Sequence, residues 1–222
     1  FLSQSGIGRN SDQTFYFDAR LDWKRSFGDH NLTAMAMYMM REYRSDVLPN
    51  RNQGYSGRVT YDYASKYLVE FNFGYNGSER LAAGHRFEFF PAVSAGWVAS
   101  SENFWEPISK YINHFKIRGS YGLVGSDAFA SGAPHFLYQN NIGIGSAHNF
   151  WTGLPTSEIS KKGPGFYVLA VQDAGWEHVK KFDIGFDMML FNQLNITFDY
   201  FHDKRERILM SRASWPSMLG YW

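Results

Sequence analysis

The residues able to carry chemistry are plentiful here but scattered. Seven histidines stand at 30, 85, 114, 135, 148, 178 and 202, and no two have a metal-ligand spacing such as H-x-H or HExxH. They read as scattered loop histidines, and no metal is expected. Cysteine is absent, which excludes a thiolate site and a disulfide framework. The 21 carboxylates could pair for glycoside hydrolysis in many ways, and no spacing singles out one pair. There is no P-loop, no GxGxxG and no G-x-S-x-G elbow. No catalytic residue and no cofactor are expected, and the chain does not read as an enzyme.

Two groups could still touch a solute. The first is Arg20, Arg58, Glu70, Lys116, Arg118 and Asp187, each set among apolar alternates. They would share one wet wall, which either pairs with another part of the protein or forms a polar path. The second lies in 125–178, with Phe136, Tyr138, Asn149, Phe150 and Trp151. Aromatic faces stack on sugar rings and amides bond hydroxyl or peptide groups, so a neutral glycan or a peptide would suit it. The plain alternative is a loop packed on its neighbours, yet loops beyond about 12–15 residues are usually functional or disordered.

The elements that must position these groups are strands. Phe15, Phe17, Ala19, Leu21 and Trp23 alternate with Tyr16, Asp18, Arg20 and Asp22. The same period of two runs through 55–63, 67–76, 115–123, 181–190 and 194–200. Residues 32–41 are apolar on both faces, and 87–99 carry Pro91, which predicts a bulge or a weak ladder position. Eight strands result, several long enough to cross a bilayer, which takes about 9–11 residues. Short joins at 26–30, 64–66 and 191–193 alternate with longer ones at 42–54, 77–86 and 125–178. The join 100–113 fits the short side least well and predicts a helical turn. Segment 128–157, free of Asp, Glu, Lys and Arg, reads as loop. Trp23, Tyr55, Tyr63, Tyr67, Tyr75 and Trp97 cluster toward strand ends on the apolar side, like the aromatic girdles of membrane barrels.

Composition agrees. With 20 Phe, 14 Tyr and 7 Trp the chain is not disordered, and a net charge of +1 makes no electrostatic case for nucleic acid. The periodicity favours an all-β, antiparallel transmembrane barrel segment in the bacterial outer membrane. A soluble carbohydrate-binding β-sandwich, with the same apolar face as its core, is the competing fold.

Three ordered blocks then carry a resemblance. They are 55–97 (YSGRVTYDYASKYLVEFNFGYNGSERLAAGHRFEFFPAVSAGW), 115–128 (FKIRGSYGLVGSDA) and 176–210 (WEHVKKFDIGFDMMLFNQLNITFDYFHDKRERILM). Together they resemble the barrel of the SusC/RagA family of TonB-dependent outer-membrane transporters of Bacteroidetes. Leu81 stands where that family usually has Phe.

The resemblance implies a plugged barrel of about 22 strands, of which these are about eight. Residues 1–222 are then expected to be an interior part of one barrel domain, with plug and C-terminal closing strand outside this chain. It further implies import of oligosaccharides or peptides, a SusD-like surface lipoprotein as lid, energy from the TonB complex through the plug, and lipid around the barrel. Residues 202–222 would join the long loops at the lid-facing rim. A non-transport barrel serving as scaffold in a larger complex is the alternative function.

Overall fold

A computed structural model describes residues 11–44, 49–127, 136–143, 149–152 and 159–209; for 149–152, 159–160 and 166–168 it describes the backbone course. Six long strands come first: β1 (Gln13–Phe27), β2 (His30–Arg44), β3 (Asn50–Tyr63), β4 (Tyr67–Ser78), β5 (Phe87–Val98) and β6 (Ile112–Ser126). Four short ones follow: β7 (Asn141–Gly143), β8 (Asn149–Thr152), β9 (Ile159–Lys162) and β10 (Gly165–Val168). The last two, β11 (Glu177–Leu190) and β12 (Leu194–Glu206), are long again.

The long strands make one eight-stranded antiparallel sheet in the order β1-β2-β3-β4-β5-β6-β11-β12. Next-in-sequence pairing is broken only where β7–β10 intervene, and these form two small two-stranded sheets, β7 with β10 and β8 with β9. The reading of 128–157 as loop is corrected at 141–143 and 149–152, which are strands. Short Gly- and Asn-rich strands carry no alternation to betray them.

Register converts the alternation into two faces. Phe71 lies opposite Val59 and Val93, whereas Glu70 lies opposite Thr60 and Ser94. The ambiguous strand β2 resolves the same way. Its Ala34, Ala36 and Tyr38 join the apolar face opposite Trp23, Leu21 and Ala19, while Met35 and Met37 fall opposite Asp22 and Arg20.

Pro91 sits in an unbroken β4–β5 register opposite Phe73, so no bulge forms there. The β5–β6 ladder begins only at Ala92, so the missing proline N–H falls where that ladder has ended.

No second layer covers the apolar face within the described residues: Phe71, Val93, Ile184 and Phe198 are 42–56% exposed. The soluble sandwich is therefore not the fold. Burial concentrates instead at one end, where Leu81, Phe90, Leu137, Ala174 and Trp176 form a cluster. Among the described residues no helix is long and apolar enough to cross a membrane, which says nothing about crossing by strands.

The connections sort by end, with two exceptions to the sequence-based rhythm. Turns at 28–29, 64–66 and 191–193 are tight. Between β2 and β3 only 45–49 remain at the long-loop end, because both strands outrun their apolar stretches. The join 99–111, at the tight-turn end, holds two short 3-10 turns, Ala99–Ser101 and Asn103–Trp105.

Candidate functional site

Arg20, Arg58, Glu70, Lys116, Arg118 and Asp187 all fall on the polar face by register. They form local groups rather than one cluster. Arg20 pairs with Asp22 at 2.7 Å within β1. Arg58 Nε donates to Asn72 Oδ1 at 2.8 Å, and Asn72 Nδ2 donates to Glu70 Oε1. Arg118 bridges Asp187 at 3.3 Å and Asp199 at 2.7 Å, with Thr197 Oγ1 donating to Asp187 at 3.1 Å. Lys116 makes no ion pair among the described residues.

Most of these pairs are a third to a half exposed, so each stabilises by at most about 1 kcal/mol. They cover the polar face with charge without locking it. Asp22, Asn72, Thr197 and Asp199 complete the groups. Their alternation is visible in the sequence, and Asp22 pairs within its own strand, but Arg58 for Asn72, Arg118 for Asp199 and Asp187 for Thr197 lie on other strands and follow only from register.

Between the Arg58 and Arg118 groups the face is smooth. β5 and β6 present Ser94, Gly96 and Ser120, which leaves a shallow trough of about 510 Å³ bounded by Glu70, Lys116 and Asp183. The hydroxyls of Thr60, Ser94 and Ser120, the carboxylates of Asp62, Glu70 and Asp183 and the ammonium of Lys116 make a surface for a polar solute.

The second candidate group is anchored at the long-loop end. Leu81 is fully buried beneath Phe90, Leu137 and Trp176. Trp176 Nε1 donates to the Arg86 carbonyl at 3.1 Å, and Arg86 Nε donates to the Leu81 carbonyl at 3.2 Å. Asn52 Nδ2 donates to Asp127 Oδ2 at 3.1 Å. These contacts dock the start of the β6–β11 connection on β3 and its end on the β4–β5 loop. Phe90 and Trp176 meet edge to face at 5.4 Å, and Phe90 lies where a Cβ on Gly125 would stand.

Phe136 and Tyr138 sit on this platform, rings 5.6 Å apart and half-buried. The Arg86 guanidinium lies 6.0 Å over Tyr138, whose carbonyl accepts from Gln172 Nε2 at 3.0 Å. Asn149, Phe150 and Trp151 belong to β8, paired with Lys162, Lys161 and Ser160 of β9. Their side chains lie outside the described residues, as do His135, 128–134 and 210–222, so the five residues are not brought together here.

The histidines correct the sequence reading. His178 is buried at the start of β11, its Nε2 2.7 Å from Glu88 Oε1, and His30 Nδ1 meets the Tyr61 hydroxyl at 2.8 Å within the sheet. They are strand residues with partners, not loop histidines. Among the described residues no three of His, Asp and Glu converge as a metal site.

On the apolar side, aromatic rings gather in two rows. Tyr38, Tyr55, Tyr75 and Phe89 are register partners in one row, and His30, Tyr63, Tyr67 and Trp97 in the other. Tyr55 thus lies within its strand rather than at its end. From Tyr75 to Tyr67, or Tyr55 to Tyr63, the chain spans roughly 26 Å along the strand at about 3.3 Å per residue. Tilted by about 35–45°, that is about 20 Å of height, close to the apolar band of outer-membrane barrels.

No protein-family profile matches the chain. It is 31% identical over 250 residues to TonB-dependent receptor P3 of Formosa agariphila, covering 95% of this chain and 24% of that receptor. To TonB-dependent receptor P39 of the same organism it is 28% identical, covering 73% and 14%. Its fold matches a chain of the RagAB peptide importer in a closed-closed state, with TM-score 0.74 and 18% identity over 95% of this chain and 25% of that one. A second RagAB peptide transporter structure gives TM-score 0.74 at 17% identity. The chain spans about a quarter or less of the length of the relatives it matches. In sequence and in fold, it resembles the barrel of the TonB-dependent outer-membrane receptors of the SusC/RagA kind.

Proposed function

We propose that this chain is a wall segment, within one barrel domain, of a SusC-like importer that carries oligosaccharides or peptides across the bacterial outer membrane. The observation that carries this is the two-faced sheet. One face is apolar between two aromatic rows, and the other bears exposed ion pairs beside a smooth hydroxyl-lined trough. In this reading the apolar face meets lipid, and Arg20, Arg58, Glu70, Lys116, Arg118 and Asp187 line the lumen. The plug and its TonB contact lie elsewhere in the whole protein.

The docked rim is where a SusD-like lipoprotein lid and solute meet the barrel. Phe136 and Tyr138 stand on the Leu81 platform, with Asn149, Phe150 and Trp151 proposed as further contacts. A stretch without formal charge buries against a partner without desolvating ions, and aromatic residues anchor interface cores. The test replaces 130–160 with a Gly/Ser linker in the whole protein. Copurification of the lipoprotein and growth on the cognate nutrient should fall together. If the barrel inserts normally and both stay at the wild-type level, the rim takes no part in either.

A further inference from the structure

The tight-turn end closes with minimal connections at 28–29, 64–66 and 191–193, except between β5 and β6. There, residues 99–111 fold back onto the apolar face. Trp105 stacks on Phe115 with centroids 5.3 Å apart and planes within 6°, and its Nε1 donates to the Ile112 carbonyl at 3.0 Å. Phe104 lies 6.3 Å from Trp97, so the elbow continues the row of Tyr63, Tyr67 and Trp97.

Held in this way, the elbow presents Phe104, Ile108 and Tyr111, which are 60%, 42% and 56% exposed. Phe191, in the neighbouring turn, joins them at 60% exposure with its ring edge-on to Tyr111 at 6.1 Å. Its N–H donates to the Tyr111 carbonyl at 3.0 Å. Phe191 also adopts φ +52°, a left-handed conformation that is unfavourable for a bulky residue. The turn therefore carries a large ring at a backbone cost without burying it.

We infer that residues 99–111 and Phe191 form an interfacial anchor that seats this end of the barrel in the lipid headgroup layer. The inference rests on the reading of the Phe71 face as lipid-facing. A lipid surface is the occupant that fits, because the patch is continuous with the aromatic row and mixes apolar side chains with a hydroxyl-tipped ring. Of the two acids in the elbow, Glu102 is paired with Lys66 at 3.2 Å, and Glu106, between Phe104 and Ile108 in sequence, is exposed, a charge that the headgroup layer accommodates and the hydrocarbon core would not.

Nitroxide labels test it in the whole protein, reconstituted in phosphatidylethanolamine/phosphatidylglycerol vesicles without other proteins. Separate Phe104→Cys and Phe191→Cys variants carry the label, so failure of one to insert leaves the other as readout. Labels at Asp29 and Phe71 mark the wet turn and the bilayer. Accessibility to oxygen relative to a water-soluble nickel chelate should be severalfold higher at 104 and 191 than at 29, and below that at 71. If 71 is dry while 104 and 191 both match 29, the anchor is overturned and the patch fits a water-borne protein partner. If 71 itself matches 29, the lipid-facing reading fails and the anchor with it.

Discussion

At the scale of single residues, neighbours in sequence do opposite things because the strand period is two. Phe71 and Asn72 are adjacent, yet one lies beside Val59 and Val93 and the other accepts from Arg58. Phe71→Arg should destabilise the inserted barrel by about 2–4 kcal/mol, and Asn72→Arg far less, in denaturant unfolding from vesicles. Equal costs would mean that both faces see the same solvent. Leu81 poses a different test, since it is fully buried under Phe90, Leu137 and Trp176. Leu81→Ala should cost about 2–5 kcal/mol of local stability, read as faster protease cleavage within 127–176 while insertion stays normal. The alternation of Phe71 and Asn72 was legible in the sequence. The role of Leu81 was not, because a lone Leu in a polar loop becomes a core residue only when Leu137 and Trp176 reach it from more than fifty positions away. His178 was misread for the same reason, as its partner Glu88 lies on a strand distant in sequence.

At the scale of elements, strand positions and the tight turns at 28–29, 64–66 and 191–193 followed from the sequence, while several strand ends and the length of the β2–β3 join did not. β2 and β3 run on to Arg44 and Asn50 because backbone pairing continues past the last alternating apolar residue, leaving only a five-position join where a longer loop was expected. The join 99–111 is held by tertiary contacts that leave no local signal. Among them, the Tyr67 hydroxyl and the Lys66 ammonium hold the Glu102 carboxyl below its ordinary range. A carboxyl so lowered contributes stability above the unfolded-state value, and that contribution is lost as pH falls through the folded value. Glu102→Gln should therefore loosen this join at neutral pH. Its difference from wild type should shrink as pH falls through the folded value and the wild-type carboxyl protonates. Limited proteolysis at 99–111 across that range reads it, and a difference that grows toward acid would reverse the sign.

At the scale of the molecule, eight strands form a sheet with two outer edges, β1 and β12, and an uncovered apolar face. Neither can rest in water alone, so residues 1–222 expressed by themselves should not give a soluble monomer. A sharp size-exclusion peak without detergent, with a cooperative melt, would contradict the barrel reading. The sheet and its two faces were legible because six of the eight long strands repeat one pattern, whereas β2 and β5 took their faces from register. The docking of the β6–β11 connection was not, because it depends on contacts among residues with no shared period. The claim on which the rest depends is that one face meets lipid and the other a wet lumen. Cysteines placed singly at 70, 71, 72 and 73 of the inserted whole protein, probed with a membrane-impermeant thiol reagent, test it most directly. Positions 70 and 72 should react and 71 and 73 should not; reaction at 71 and 73 with protection of 70 and 72 would contradict it.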